Sequence, residues 1–256
     1  MKNIAQYIFH RCAVFLARFA FLSKIAQRIA DYRKGNNNPD MMTNGELDFF
    51  KKHAADFHVV FDIGANKGDW TREALKINPK LDIFAFEPDP AMRAIFEANK
   101  FSKNVRCENQ GLGAKKERRI LYLHKESPGM NSFVKRALFK DSELAPEEVA
   151  VTTLDAYCAE NHIGKIDFMK IDVEGFELDV LRGARAMIHE KRISIIQFEY
   201  GGTYLDSHSS LKEVFDFFKE SGYSFRKLLP RKTLQIAEYS PLFEDFQYSN
   251  YLAIAK

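Results

Sequence analysis

The sequence predicts an α/β fold: a doubly wound, mostly parallel sheet with helices on both faces, preceded by an N-terminal helical extension. Three observations carry this. Short apolar runs rich in β-branched residues alternate with helix-period segments from residue 45 onward. A glycine loop follows the first of those runs at once. Acidic residues close the second, fourth and fifth runs, at the strand ends where a doubly wound sheet binds its ligands.

The N-terminus stands apart. Ile8, Cys12, Phe15, Phe19 and Leu22 recur at spacings of four and three, the stripe of one helix. Residues 1–30 hold Lys2, Arg11, Arg18, Lys24 and Arg28 and no acid. These charges interrupt the apolar run too often for a spanning helix, which needs about 20 apolar residues, or for a signal peptide. Residues 1–35 therefore read as a basic amphipathic helix. Two roles stay open for it. It can pack on the domain or on a partner subunit, such as a second copy, or lie peripherally on an anionic inner-membrane surface. Gly35-Asn36-Asn37-Asn38-Pro39 breaks the helix and reads as a linker.

Residues 45–256 read as one Rossmann-like domain. Glu46–Ala55 is a lead-in helix, and Val59–Ile63 a buried parallel strand. A helix over Trp70–Ile77 stops at Asn78-Pro79. Asp82–Phe86 is the second strand, Ala91–Lys100 a helix and Val105–Asn109 the third strand. Ile120–Leu123 and Val149–Thr152 are further strand segments. Between them, Ser127–Glu148 is long for a loop and suggests a lid, with Phe133, Leu138 and Phe139 packing it down. Its Lys135, Arg136 and Lys140 can meet an anionic sugar or a phosphate-linked carrier; a plain solvated insertion fits as well. A short helix over Asp155–Asn161 precedes the fourth strand, Ile166–Asp172. A helix from Gly175, the fifth strand Ile193–Phe198 and a helix over Leu211–Glu220 follow. Three closing strands lie near 224–228, 233–237 and 251–255.

Charge and cysteines bound the function. The chain has 256 residues and a net charge of +3; without the five N-terminal cations the rest carries 33 basic against 35 acidic residues. A body that is nearly neutral lacks the positive footprint of a nucleic-acid binder. Three scattered cysteines, with no CxxC spacing, argue against a disulfide framework or zinc site and suggest a reducing cytoplasm.

The candidate chemistry gathers at the strand ends. Asp62-Ile63-Gly64-Ala65-Asn66-Lys67-Gly68 lets the backbone approach a ligand closely and opens a helix whose amides favour an anionic group such as a carboxylate. Its GxxxG spacing differs from the GxGxxG dinucleotide fingerprint. Glu87, 19 residues beyond Gly68, can accept hydrogen bonds from both hydroxyls of a ribose. Pro88 and Asp89 would border an adenine, and Asn109 and Gln110 would meet its edge. Lys170 and Asp172 point the same way from the fourth strand, with Glu174 just beyond and Glu199 on the same rim.

Asp62–Gly68, Phe86-Glu87-Pro88, Thr153-Leu154-Asp155 and Lys170-Ile171-Asp172-Val173-Glu174-Gly175-Phe176-Glu177 together resemble the FkbM family of methyltransferases, in the family's order, over roughly residues 58–200. The resemblance implies a seven-stranded sheet with one antiparallel strand, S-adenosylmethionine as donor, and O-methylation of a sugar in a polysaccharide or glycoconjugate. Carried over, Gly64, Ala65, Asn66 and Gly68 line the methionine portion of the cofactor and Glu87 binds its ribose.

A sugar hydroxyl is a poor nucleophile, so a base should take its proton during attack. Asp172 is the first candidate, with Lys170 or Glu174 orienting it or the acceptor; Glu199 is second, and His208 is conceivable. Clustered acids can hold Mg²⁺, but no calcium or zinc spacing is present and no metal is expected. The rival readings are a nucleotide-binding oxidoreductase, opposed by the loop spacing, and a non-catalytic scaffold, opposed by the intact cofactor positions. A nucleic-acid methyltransferase is opposed by the near-neutral body.

Overall fold

The computed structural model describes residues 2–256. In chain order the elements are α1 (Lys2–Leu16), α2 (Ala20–Lys34), α3 (Glu46–His53), β1 (Val59–Ile63), α4 (Asp69–Ile77), β2 (Asp82–Phe86), α5 (Pro90–Ala98) and β3 (Val105–Glu108). β4 (Gly111–Leu112), β5 (Glu117–His124), β6 (Leu144–Thr152), α6 (Leu154–Glu160) and β7 (Ile166–Ile171) follow. The chain ends with α7 (Glu177–Gly183), α8 (Arg185–His189), β8 (Ile193–Tyr200), α9 (Thr203–Asp206), α10 (Leu211–Glu220), β9 (Tyr223–Leu229), β10 (Lys232–Gln235) and β11 (Ser249–Ala255).

The main sheet runs β10-β9-β11-β8-β7-β1-β2-β3. β8, β7, β1, β2 and β3 pair in parallel, while β11 inserts antiparallel between β8 and β9. This is the expected seven-stranded sheet with one antiparallel strand, β11, and a short eighth strand, β10, added at the edge through the hairpin from β9. The expected strand segments near 120 and 149 do not join that sheet. They lengthen into β5 and β6 and, with β4, form a separate three-stranded sheet. The expected lid is correspondingly shorter, because His124 already pairs with Leu144.

Alternation along the central strands explains both faces. Phe61 and Ile63 of β1 and Met169 and Ile171 of β7 enter one core. Val60 and Phe168 enter the other, with Phe50 and Trp70. Asp62 and Lys170 share the parity of Val60 and Phe168, so the carboxylate and ammonium come to lie side by side in register.

The N-terminal segment departs from expectation. It forms two helices rather than one. Phe19 is extended (φ −97°, ψ 101°), Arg18 and Phe19 N–H groups tighten back onto Phe15 and Leu16, and Ser23 Oγ donates to the freed Ala17 carbonyl. The expected linker is no loose tether either. Gly35 closes α2 in the left-handed region (φ 71°), Asn36 donates to Gln247 at 2.8 Å, and Asn37 N–H donates to the Tyr248 carbonyl. Among the described residues no helix is long and apolar enough to cross a membrane.

Candidate active site

The end of β1 sets the site. Gly64 takes φ +84°, and a Cβ there would lie 1.8 Å from the Asp172 carbonyl oxygen. Only glycine lets this loop pass the end of β7 so closely. The Asp172 N–H donates to the Ile63 carbonyl, and the Gly64 and Ala65 N–H groups donate to the Phe86 carbonyl. Three strand ends are thereby tied into one floor.

Above them lies a cavity of about 400 Å³, a size that holds a cofactor-sized ligand. Asp62, Gly64, Ala65, Asn66, Glu87 and Pro88 line it together with Lys170, Asp172 and Glu174. Glu87 is held by the loop it faces: its Oε2 accepts from Asn66 N–H and its Oε1 from Asp89 N–H, both at 2.8 Å. Each oxygen keeps a second lone pair for a hydroxyl. Burial pushes its carboxyl up to about 7, against the two backbone donors. Asp62 is buried, with Oδ2 accepting from Thr71 at 2.7 Å and Oδ1 without a partner among the described residues. Burial raises its carboxyl, and Lys170 opposes that. An ammonium group in this part of the cavity would satisfy the orphaned oxygen.

Four expected cofactor contacts fall elsewhere. Gly68 lies behind the loop, where a Cβ would strike Phe96 at 2.8 Å, so it serves the turn and the packing of α4 on α5. Asp89 does not line the cavity; it caps α5 through Ala91 N–H and accepts from Asn131 Nδ2 at 2.7 Å. Asn109 and Gln110 also lie outside it, because the chain turns after Glu108 into β4. Gly111 and Leu112 take the place expected for them, with Leu121 and Phe133 completing an apolar wall.

Around the end of β7 the acids cluster. Lys170 Nζ donates to Asp172 Oδ2 at 2.7 Å. Burial disfavours the Asp172 carboxylate, but Lys170 and a hydrogen bond from Glu199 outweigh it and hold the group below its ordinary range. Burial, and then the Asp172 charge, push the Glu199 carboxyl well above its ordinary value. Glu174, in the left-handed region (φ 54°), pairs with Arg136 at 3.0 Å. Burial and Asp172 still carry its carboxyl up to about 8. Carboxylate oxygens of Asp172, Glu174 and Glu199 lie within 4.8 Å of one another. That is close enough to share a divalent cation, although Lys170 and Arg136 already supply positive charge there. Glu199 does not itself line the cavity.

The loop between β5 and β6 fastens to Asn66 and to Glu174. Asn66 Nδ2 donates to the Pro128 carbonyl at 3.3 Å, and Ser132 Oγ donates to the Glu174 carbonyl at 2.6 Å. Arg136 is thus placed on Glu174 rather than presented to solvent. Glu46 and Tyr248 are among the cavity residues that escaped the sequence reading. Glu46 accepts from Asn44, Gln197 and Asn250, and Asn250 also donates to the Tyr248 hydroxyl. Glu46 opens α3 and reads locally as a first-turn acid, so nothing nearby in the chain betrays its place.

The family model of the methyltransferase FkbM domain matches residues 62–225, and the chain belongs to that family of methyltransferases. It is 25% identical over 193 residues to the 2-O-methyltransferase NoeI of Sinorhizobium fredii, covering 69% of this chain and 78% of that one. It is 29% identical over 146 residues to Methyltransferase 1 of Beauveria bassiana, spanning 50% of this chain and 59% of the relative. The crystal structure of methyltransferase FkbM from Methylobacillus flagellatus superposes with a TM-score of 0.49 at 14% identity, over 90% of this chain and 60% of that one.

Proposed function

We propose that the chain methylates a hydroxyl group of a sugar-type acceptor, with S-adenosylmethionine as donor. The observation that carries this is one cavity lined by both a ribose-competent carboxylate, Glu87, and a paired carboxylate, Asp172. The donor set suits the cofactor: Glu87 for the ribose hydroxyls, Asp62 and the Gly64–Asn66 loop for the amino-acid portion, and Pro88, Leu112, Leu121 and Phe133 for the base. When bound, S-adenosylmethionine supplies an electrophilic methyl on a sulfonium.

The protein's own residues do the rest. Asp172 accepts the proton of the acceptor hydroxyl as the oxygen attacks. Lys170 fixes the carboxylate's direction through its hydrogen bond to Oδ2. Glu174, Glu46 and Tyr248 offer further hydrogen-bonding positions to a polyhydroxylated ring. Alignment of the hydroxyl is the main source of rate. A relative named a 2-O-methyltransferase supports oxygen as the methylated atom. The unpaired state of Cys12, Cys107 and Cys158 supports a reducing, cytoplasmic setting.

The test is incubation with labelled S-adenosylmethionine and a panel of glycans and glycoconjugates, with the methylated atom located by NMR. O-methylation of a sugar, lost in Asp172→Asn, supports the reading. Transfer only to nitrogen or carbon acceptors would overturn it.

A further inference from the structure

We infer that α1 and α2 form an arm that binds anionic lipid surfaces. Every residue from Ile4 to Ile29 is exposed, so the arm does not pack on its own domain. It is anchored only where α2 ends: Asp31 is buried and accepts from Gln27 and Asn37, and the α2 cap leads into Asn36.

The exposed surface is apolar to a degree that water does not favour. In α2, Phe21, Ile25, Ile29 and Tyr32 follow one another at helical spacing, with Leu22 beside them. Phe21 is 73% and Ile29 64% exposed. At 3.6 residues per turn, Lys24 and Arg28 border one edge of this stripe and Arg33 the other. In α1, Ile4, Ile8 and Phe15 repeat the pattern and are likewise more than half exposed. An apolar stripe flanked by cations is the arrangement of a helix lying in a bilayer interface, its apolar side among acyl chains and its cations at the lipid phosphates.

Charge selects lipid over a second copy. Residues 1–30 hold five cations and no acid. Two arms facing each other would bring like charges together with nothing between them to pair. An anionic bilayer takes both the cations and the stripe, and each Lys or Arg adds roughly 1 kcal/mol of attraction near such a surface. The arm also leads directly to the cavity. Asn36 is fixed by Gln247, and Pro39 and Met41, a few residues on, are part of the cavity wall. A bound arm therefore holds the cavity close to the bilayer.

The test uses the full chain with vesicles of phosphatidylcholine alone or enriched in phosphatidylglycerol, read by co-sedimentation, alongside sedimentation velocity without lipid. The expected result is binding to the anionic vesicles only. Lys24→Gln with Arg28→Gln should weaken it about fivefold per residue. Phe21→Ser, Ile25→Ser and Ile29→Ser together should abolish it, with an unchanged thermal melt showing the domain intact. Absence of the wild-type chain from the anionic pellet, or binding that both variants retain, would overturn the proposal. So would lipid-independent self-association that the serine variant abolishes in a chain that ignores vesicles, which would assign the stripe to a second copy.

Discussion

Lys170 Nζ lies 2.7 Å from Asp172 Oδ2, two residues apart at the end of β7. The lysine is buried, whereas the Asp172 side chain is 36% exposed, so the pair has one closed and one accessible member. Burial works against the ammonium, but Asp172, Asp62 and Glu46 hold it firmly charged, above its ordinary range. The accessible partner is therefore an ionised carboxylate with a fixed orientation, as a proton acceptor requires.

Asp172→Asn keeps the size of the side chain and removes the acceptor. Turnover should fall by about 10²–10⁴, while S-adenosylhomocysteine affinity stays within about twofold of wild type. Single-turnover kinetics with calorimetry checks both. Unchanged turnover removes Asp172 from the role.

Lys170→Met should act through Asp172. It leaves an acidic group unpaired beside Asp62 and should cost about 3 kcal/mol of stability. The Asp172 carboxyl should rise, moving the acidic limb of the rate–pH profile to higher pH. A loss of stability with an unmoved profile would leave Lys170 a purely structural role.

Stability of the free protein should fall as pH rises from 5 to 8. Burial raises Glu87 and Glu177 to about 7 and Glu174 to about 8. A carboxyl raised on folding stabilises fully below its unfolded value and loses that contribution as pH climbs through its folded value. Asp172 and Lys170 shift outside this window: the former acts at low pH, the latter above its ordinary alkaline range. The melting temperature should drop by ~5 °C or more between pH 5 and 8, and Glu177→Gln should flatten part of the slope. A melting curve that rises across this interval would contradict the assignment.

Turnover should be indifferent to EDTA. Asp172, Glu174 and Glu199 are near enough to chelate, but Lys170 and Arg136 already supply counter-charge there. Loss of activity with EDTA, restored by Mg²⁺, would assign a cation to the trio.

The sheet and half of the site were legible because both are local. Val59–Ile63 is an apolar run that holds Asp62, and the glycines that follow it are its own continuation. Glu87 and Asp172 close strands whose ends any doubly wound sheet gathers. What the sequence hid depends on where the chain goes after a strand stops. Asn109 and Gln110 miss the cavity because Gly111 turns into a second sheet that no nearby pattern announces. Glu46 and Tyr248 meet at the cavity from opposite ends of the chain, joined through Asn250, and only the folded sheet relates them. The kink at Phe19 escaped a reading by periodicity, since apolar spacing continues across it.

The most direct test is calorimetric titration with S-adenosylhomocysteine at pH 6 and pH 8, for wild type and Glu87→Gln. Ribose hydroxyls favour the ionised carboxylate, so wild-type affinity should rise about tenfold over that interval as the Glu87 carboxyl, raised to about 7, gives up its proton. The variant should bind at least tenfold more weakly at pH 8 and lose the dependence. No saturable binding by folded wild-type protein, or equal binding by the variant at both pH values, would contradict the site described.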